Sequence, residues 1–191
     1  GLWFEASSKN LIAYLLVFFI APFFQFLVTP LFKLLGIYTY ISPMILVFAA
    51  NDKKYDLHNG TPFDYLMVMR GIKPGFPFQR KLLGYYLDGL LSVVEQMEAK
   101  ELPEDIIVRG SSYFFSENTA RRLGFKVSKT SSTERFNLYL NYIDLIWMYS
   151  LSKGKLTFPS LKNVKTAEIP GKDLVDNKIK LVNLRSFINR K

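Results

Sequence analysis

The chain has 191 residues, 49% of them hydrophobic, which is enough for one domain of ordinary size and an additional segment. It contains no cysteine, which excludes disulfides, thiolate metal sites and cysteine nucleophiles. The formal net charge of +9 is concentrated in residues 106–191, which carry 16 Lys and Arg against 6 Asp and Glu. A basic half of this kind suits anionic lipid, phosphorylated ligands or nucleic acid.

An apolar segment occupies residues 10–50, in which Lys33 is the one charged residue. Residues 11–32 give 22 positions without charge, close to the roughly 20 that a helix needs to cross a bilayer. Residues 34–50 give a second uncharged run of 17, at the short limit. This segment indicates a membrane protein and makes nucleic acid an unlikely partner.

Two membrane arrangements fit the segment. In the first, which we favour, two transmembrane helices form a hairpin that turns at residues 29–33. In the second, the first run spans or re-enters the bilayer, and the second lies in the interface with Tyr38 and Tyr40 at head-group depth. Lys9 before the segment and Lys53 and Lys54 after it place both ends in the cytoplasm by the positive-inside rule.

The polar part of the chain begins with a predicted turn, a predicted strand and a predicted helix. Residues 58–62 are typical of a turn, and residues 63–69 fit a strand. Apolar residues then recur at spacings of three and four, which predicts an amphipathic helix over residues 80–100. Pro103 ends it.

A strand, helix, strand unit follows this helix. Residues 105–109 are a nearly continuous apolar run of the kind expected for a buried strand. Ser116 is a candidate N-cap, Gly124 a candidate left-handed C-terminal residue, and residues 125–127 the next strand.

The last third of the chain also alternates between predicted helices and predicted strands. Residues 133–151 predict a long helix that packs on the sheet or lies at the bilayer surface. Residues 155–158 and 164–169 predict short strands, and residues 172–188 a basic helix. The expected fold is a small mixed-sheet α/β (or α+β) domain in the cytoplasm, residues 51–191, preceded by the transmembrane helical hairpin in residues 1–50.

The single histidine is the first candidate for chemistry. His58 has Asp56 and Asp64 as sequence neighbours, and an imidazole beside carboxylates is suited to general base catalysis, with Asp64 as the alternative base. A turn histidine without a catalytic role is the competing interpretation. One His and no Cys are too few ligands for a metal site, so we predict none.

The longest motif lies in residues 79–127. It begins with Gln79-Arg80-Lys81-Leu82-Leu83-Gly84, continues through the amphipathic helix and the strand, and ends with Asn118-Thr119-Ala120 and Gly124-Phe125. This order resembles the C-terminal half of the GNAT family of N-acetyltransferases, in which a Gln/Arg-x-x-Gly-x-Gly/Ala loop binds the pyrophosphate of coenzyme A. Tyr86 departs from that pattern, since it stands where the family has its second small residue.

The resemblance implies a coenzyme A thioester as the cofactor. It implies that Gln79, Arg80, Lys81 and Gly84 bind the cofactor, with Asn118 in the second helix. The function predicted on this basis is an acyl-CoA-dependent transferase at the cytoplasmic face of the membrane, with His58 or Asp64 as the base.

A non-catalytic function is the alternative. The basic C-terminal half also fits a membrane-anchored scaffold or subunit that docks on anionic lipid head groups or on a membrane protein partner. Its candidate docking residues are Lys178, Lys180, Arg185 and Arg190.

Overall fold

The computed structural model describes residue 20 and residues 23–24, 26–47, 53–111 and 116–190. Within these residues six strands form one sheet, in the order β1-β2-β3-β4-β6-β5. The strands are β1 (Thr39–Ser42), β2 (Ile45–Val47), β3 (Lys54–Asn59), β4 (Ile107–Ser111), β5 (Lys126–Lys129) and β6 (Lys165–Pro170).

Eight α-helices and one 3-10 turn connect and cover the described strands. They are α1 (residues 26–34), α2 (Pro62–Val68), α3 (Phe76–Glu98), α4 (Glu117–Arg122), α5 (Ser132–Leu140), α6 (Tyr142–Lys153), the 3-10 turn Leu161–Asn163, α7 (Gly171–Asp176) and α8 (Lys178–Arg190).

The sheet is mixed, and its one parallel pair lies at its centre. β1, β2 and β3 pair antiparallel, and so do β4, β6 and β5. β3 and β4 run parallel, which requires a crossover connection, and α2 and α3 supply it. The prediction of an α/β domain is confirmed.

Helix α3 carries the core on one face of the sheet. Its apolar residues recur every three or four positions, so one side of the helix is buried against the strands. The buried side chains from α3 include Leu82, Leu87, Leu90, Val93, Val94 and Met97. Val108 of β4 and Ile169 of β6 meet them from the sheet, and neither is exposed at all.

The predicted transmembrane hairpin is not supported. Its second arm, residues 34–50, contains the strands β1 and β2, and Met44 to Val47 are buried in the domain core. A fully buried strand is as apolar as a membrane segment, because neither of its faces meets water. Among the described residues, no helix is both long and apolar enough to cross a membrane. In the first arm, residues 11–19, 21–22 and 25 lie outside the described residues.

Several element predictions need correction. The strand predicted at residues 63–69 is the helix α2, because Thr61 and Asp64 form a capping box and Pro62 fits the first turn. The helix predicted at residues 133–151 is divided at Asn141 into α5 and α6. The strand predicted at residues 155–158 does not form, and the C-terminal basic helix is divided at Asn177.

Other predictions are confirmed. The amphipathic helix exists and begins four residues earlier than predicted, at Phe76. Ser116 caps α4 by accepting a hydrogen bond from the backbone N–H of Thr119, and Gly124 has a φ of 90°.

Candidate functional site

The parallel strands β3 and β4 separate at their carboxyl ends. Their pairing runs from Lys54 opposite Ile107 to Leu57 opposite Gly110. β3 then continues to Asn59 beside β2, while β4 continues to Ser111 beside β6. The two strands therefore follow different neighbours and leave a cleft between their last residues.

A cavity opens at this cleft, between the sheet and the helices α3 and α4. It encloses about 570 Å³ when the open mouth is included. Its lining is mainly apolar and comes from Ile45, Leu57, Tyr86, Leu90, Ala120, Leu123, Phe125 and Ala167. His58, Asn59, Gly110 and Ser111 form its edge where the strands part.

His58 lies at the end of β3, as part of the cavity wall. Because side chains alternate along a strand, Asp56 and His58 point to the sheet face opposite that of Tyr55, which donates a hydrogen bond to Gln96 of α3. His58 is exposed, but the neighbouring protein desolvates part of the imidazole and lowers the pKa of His58, against the opposing influence of Asp56 and Glu134. A neutral imidazole at neutral pH is able to accept a proton.

A charged network holds α5 on the face of the sheet where His58 points. Arg109 of β4 pairs with Glu134 of α5 and, at 3.2 Å from Nε to Oε1, with Glu168 of β6. Burial raises the pKa of Glu134, but the hydrogen bonds from Ser131 and the charge of Arg109 outweigh this and lower it. The carboxylate therefore stays ionised on this face.

Tyr86 and Asn59 form the polar part of the cavity on the α3 face. The Tyr86 hydroxyl donates a hydrogen bond to Oδ1 of Asn59. Burial, together with the neighbouring Tyr65, raises the pKa of Tyr86 well above its ordinary value, so the hydroxyl keeps its proton. The pair places one hydrogen-bond donor and one amide at the end of β3.

Asp64 has a structural position. Its side chain is 1% exposed and accepts hydrogen bonds from the backbone N–H of Thr61 at 2.7 Å, the Thr61 hydroxyl at 2.9 Å and the Tyr40 hydroxyl at 2.7 Å. It does not line the cavity. These hydrogen bonds cap the first turn of α2 and connect it to β1. Asp64 and His58 therefore do not lie in one site.

The predicted pyrophosphate loop is helical. Gln79, Arg80 and Lys81 lie in the first turns of α3, and the Lys81 ammonium sits 4.8 Å from the centre of the Tyr85 ring. Gly84 is buried against α8, where an added Cβ would come within 3.3 Å of the Arg185 guanidinium. Residues 79–84 therefore lie inside the helix and not in a loop, and Gly84 packs α3 on α8; the assignment of these residues to coenzyme A stays a prediction.

The other predicted residues also fall outside the cavity. Asn118 is exposed on α4, two residues before the lining residue Ala120 and on another side of the helix. Of the four basic residues proposed to dock on lipid, Lys178 pairs with Glu98 and Arg185 binds both carboxylate oxygens of Asp88. Lys180 and Arg190 are exposed. Within the described residues, no group of three His, Asp or Glu side chains is placed to hold a metal ion.

Of the site residues predicted from sequence, His58 is the one that lines the cavity. Tyr86 is part of the amphipathic pattern of α3, and its hydroxyl group is all that distinguishes it from a core residue. Gly110 and Ser111 are the last two residues of β4. The run of small residues at this strand end was the available signal.

No family model matches the chain, and no curated protein or solved structure is significantly similar to it.

Proposed function

We propose that the chain is an acyl-CoA-dependent transferase that works at a membrane face. The observation that carries the proposal is the divergence of β3 and β4, which opens an apolar cavity with His58 at its edge. The order of α3, β4, α4 and Gly124-Phe125 also follows the motif order that resembles the GNAT family.

The shape of the cleft suits a coenzyme A thioester. Beyond Leu57 and Gly110 the inner edges of the two strands no longer pair with each other. Strand edges bind extended ligands through backbone hydrogen bonds, and the pantetheine arm of coenzyme A is an extended chain with two amide groups. The apolar lining between α3 and α4 then accepts the acyl group.

His58 is the base in this proposal, because it lies near the end of β3 beside the cleft and its lowered pKa favours the neutral imidazole. A thioester in the cleft has the cavity on its α3 side and the His58 face of the sheet on the other. The acceptor attacks the thioester carbonyl from that side while His58 takes its proton. A bond from the acceptor to the acyl carbon forms, the carbon–sulfur bond breaks, and the proton passes to the thiolate to give free coenzyme A.

Calorimetric titration of the detergent-solubilised chain with acetyl-CoA and with a long-chain acyl-CoA tests the proposal, with coenzyme A as competitor. We expect saturable binding that coenzyme A displaces. Turnover is measured by thiol release, and the chain contributes no background because it has no cysteine.

Gly110→Leu is the blocking variant. Gly110 lines the cavity, and a Cβ at this position meets only Leu57, at 3.7 Å or more, so the larger side chain enters the cavity without a backbone clash. Ser128→Leu, at an exposed position of β5 in the same sheet, is the matched control. Loss of binding in Gly110→Leu alone supports the site, whereas equal binding by both variants contradicts it.

A further inference from the structure

The structure has an exposed apolar surface on α1 and α2, which we call the α1–α2 surface. It consists of Leu27, Leu31 and Leu34 of α1 and Leu66 and Met67 of α2, each 48% to 83% exposed. The three α1 residues follow a spacing of four and three, which places them along one side of the helix. Large apolar surfaces of this kind mark sites where a protein meets another apolar phase.

The opposite side of α1 is attached to the domain. The ring of Phe26 lies 5.5 Å from that of Phe63 in α2, and Thr29 is buried. The Lys33 ammonium lies 4.6 Å from the centre of the Tyr40 ring in β1. Because α1 is held in this way, its exposed side is a fixed part of the domain surface.

The two helices contact each other. Phe63 of α2 packs on Phe26 of α1, and Met67 lies one helical turn further along α2. Each helix also carries exposed apolar residues. Arg70 and Lys73 are exposed and follow α2 directly in the chain.

We propose that the α1–α2 surface is embedded in the head-group and upper acyl region of a lipid bilayer. Two observations select lipid as the occupant. Residues 11–25 precede α1 and contain no charge in the sequence, so the surface follows an apolar segment of the chain. The exposed Arg70 and Lys73, which follow α2 in the chain, complement lipid phosphates, and a helix with an apolar outer side is typical of the membrane interface.

This placement does not depend on the coenzyme A proposal, but it has a consequence for the cavity. α2 begins at Pro62, directly after the carboxyl end of β3, where the cavity opens. A domain seated on the α1–α2 surface therefore holds the end of β3 close to the bilayer.

The test uses single cysteines introduced into the full chain, which has none of its own. Leu31→Cys and Met67→Cys report on the two halves of the surface, and Ile179→Cys on α8 is the control. Met67 is 59% and Ile179 73% exposed, so both are apolar positions of comparable exposure. Each variant carries a fluorophore and is reconstituted into phosphatidylcholine vesicles with and without lipid-borne quenchers.

We expect lipid-borne quenchers to reduce the fluorescence at positions 31 and 67 several-fold more than at position 179. A water-soluble quencher should give the reverse order. Circular dichroism of each labelled variant checks that the domain is folded.

Quenching by lipid at position 31 but not at 67 overturns the proposal, because it shows that α2 is not in the bilayer. Labels at 31 and 67 that are as accessible to water as the label at 179 also overturn it. Labels shielded from both quenchers show that another protein chain covers the surface, which excludes lipid as its occupant.

Discussion

The two halves of the β3–β4 pair differ in what fills the space above them. In the amino-terminal half, Tyr55 and Val108 face α3 and are 5% and 0% exposed. In the carboxyl-terminal half, the same two strands part and border the apolar cavity. One half is therefore closed by its own side chains, and the other leaves room for a ligand.

The sizes of the side chains produce this difference. Gly110 has no side chain, and Ala120 and Ala167 supply one methyl group each to the cavity wall. A protein interior is normally packed to the density of an organic crystal, and an empty space loses dispersion contacts on its walls. Small residues at the end of a central parallel pair therefore favour a binding function at that end.

The largest expected effect comes from His58. Replacing it with Gln removes the proposed base, so thiol release from acyl-CoA should fall by about 10²- to 10⁴-fold with little change in binding. The pKa of His58 is lowered from 6.5, and the imidazole loses its base function when it is protonated. The wild-type rate should therefore fall with decreasing pH around a midpoint below 6.5.

The variant Asp56→Asn tests whether His58 acts as a catalytic base or has only a structural role. The Asp56 carboxylate raises the pKa of His58, so its removal should lower that pKa and move the midpoint to lower pH. The rate at neutral pH should remain close to that of the wild type. A midpoint that does not move in Asp56→Asn, or full activity in His58→Gln, contradicts the assignment of His58 as the base.

The helices that pack on the closed half of the β3–β4 pair were largely predictable from sequence, because residue spacing and capping residues determine them locally. The spacing of apolar residues predicted α3, Ser116 predicted the start of α4, and Gly124 predicted its end. β1 and β2 were not recognised, because their buried residues lack the alternation that distinguishes a strand from a membrane segment.

The cavity at the open half of the β3–β4 pair was less predictable, because its lining residues are distant in sequence and come together only in the folded chain. Tyr86 contacts Asn59 across 27 positions of the chain, and Gly110 lies opposite Leu57 through the pairing of two strands. No local pattern contains such a contact. His58 and Asp64 were both selected from their chemistry alone, and the structure places His58 beside the cavity and Asp64 in the capping box of α2.

The stability cost of truncating a leucine can be compared between the two halves of the β3–β4 pair, because α3 places one leucine over each half. Leu87 is fully buried in the closed core, whereas Leu90 lines the cavity. Leu87→Ala should lower the free energy of unfolding by about 2–5 kcal/mol, and Leu90→Ala should cost less, because its side chain already borders a space. Chemical denaturation of the two variants measures the difference. Equal costs would show that Leu90 packs as tightly as Leu87.

Gly110→Leu should have a smaller effect on stability, and of opposite sign. Its side chain fills part of the cavity and restricts the unfolded chain, so the unfolding free energy should rise by about 0.5–2 kcal/mol. The increase is expected in the absence of acyl-CoA. A destabilised Gly110→Leu would mean that the cavity cannot take the side chain, and the blocking experiment would then need Ala167→Leu at the opposite wall.

The last comparison concerns Asp64 and separates a structural carboxylate from a catalytic one. Asp64→Ala removes the buried acceptor of three hydrogen bonds, and a hydrogen bond to a charged group contributes about 1.5–3 kcal/mol. For a chain of this length, each kcal/mol lowers the melting temperature by about 2–4 °C. Calorimetry should therefore show a lower melting temperature, while thiol release per folded molecule stays near the wild-type value. A loss of turnover as large as that of His58→Gln, in a variant that melts like the wild type, would restore Asp64 as a candidate base and place the chemistry on the α2 side of β3.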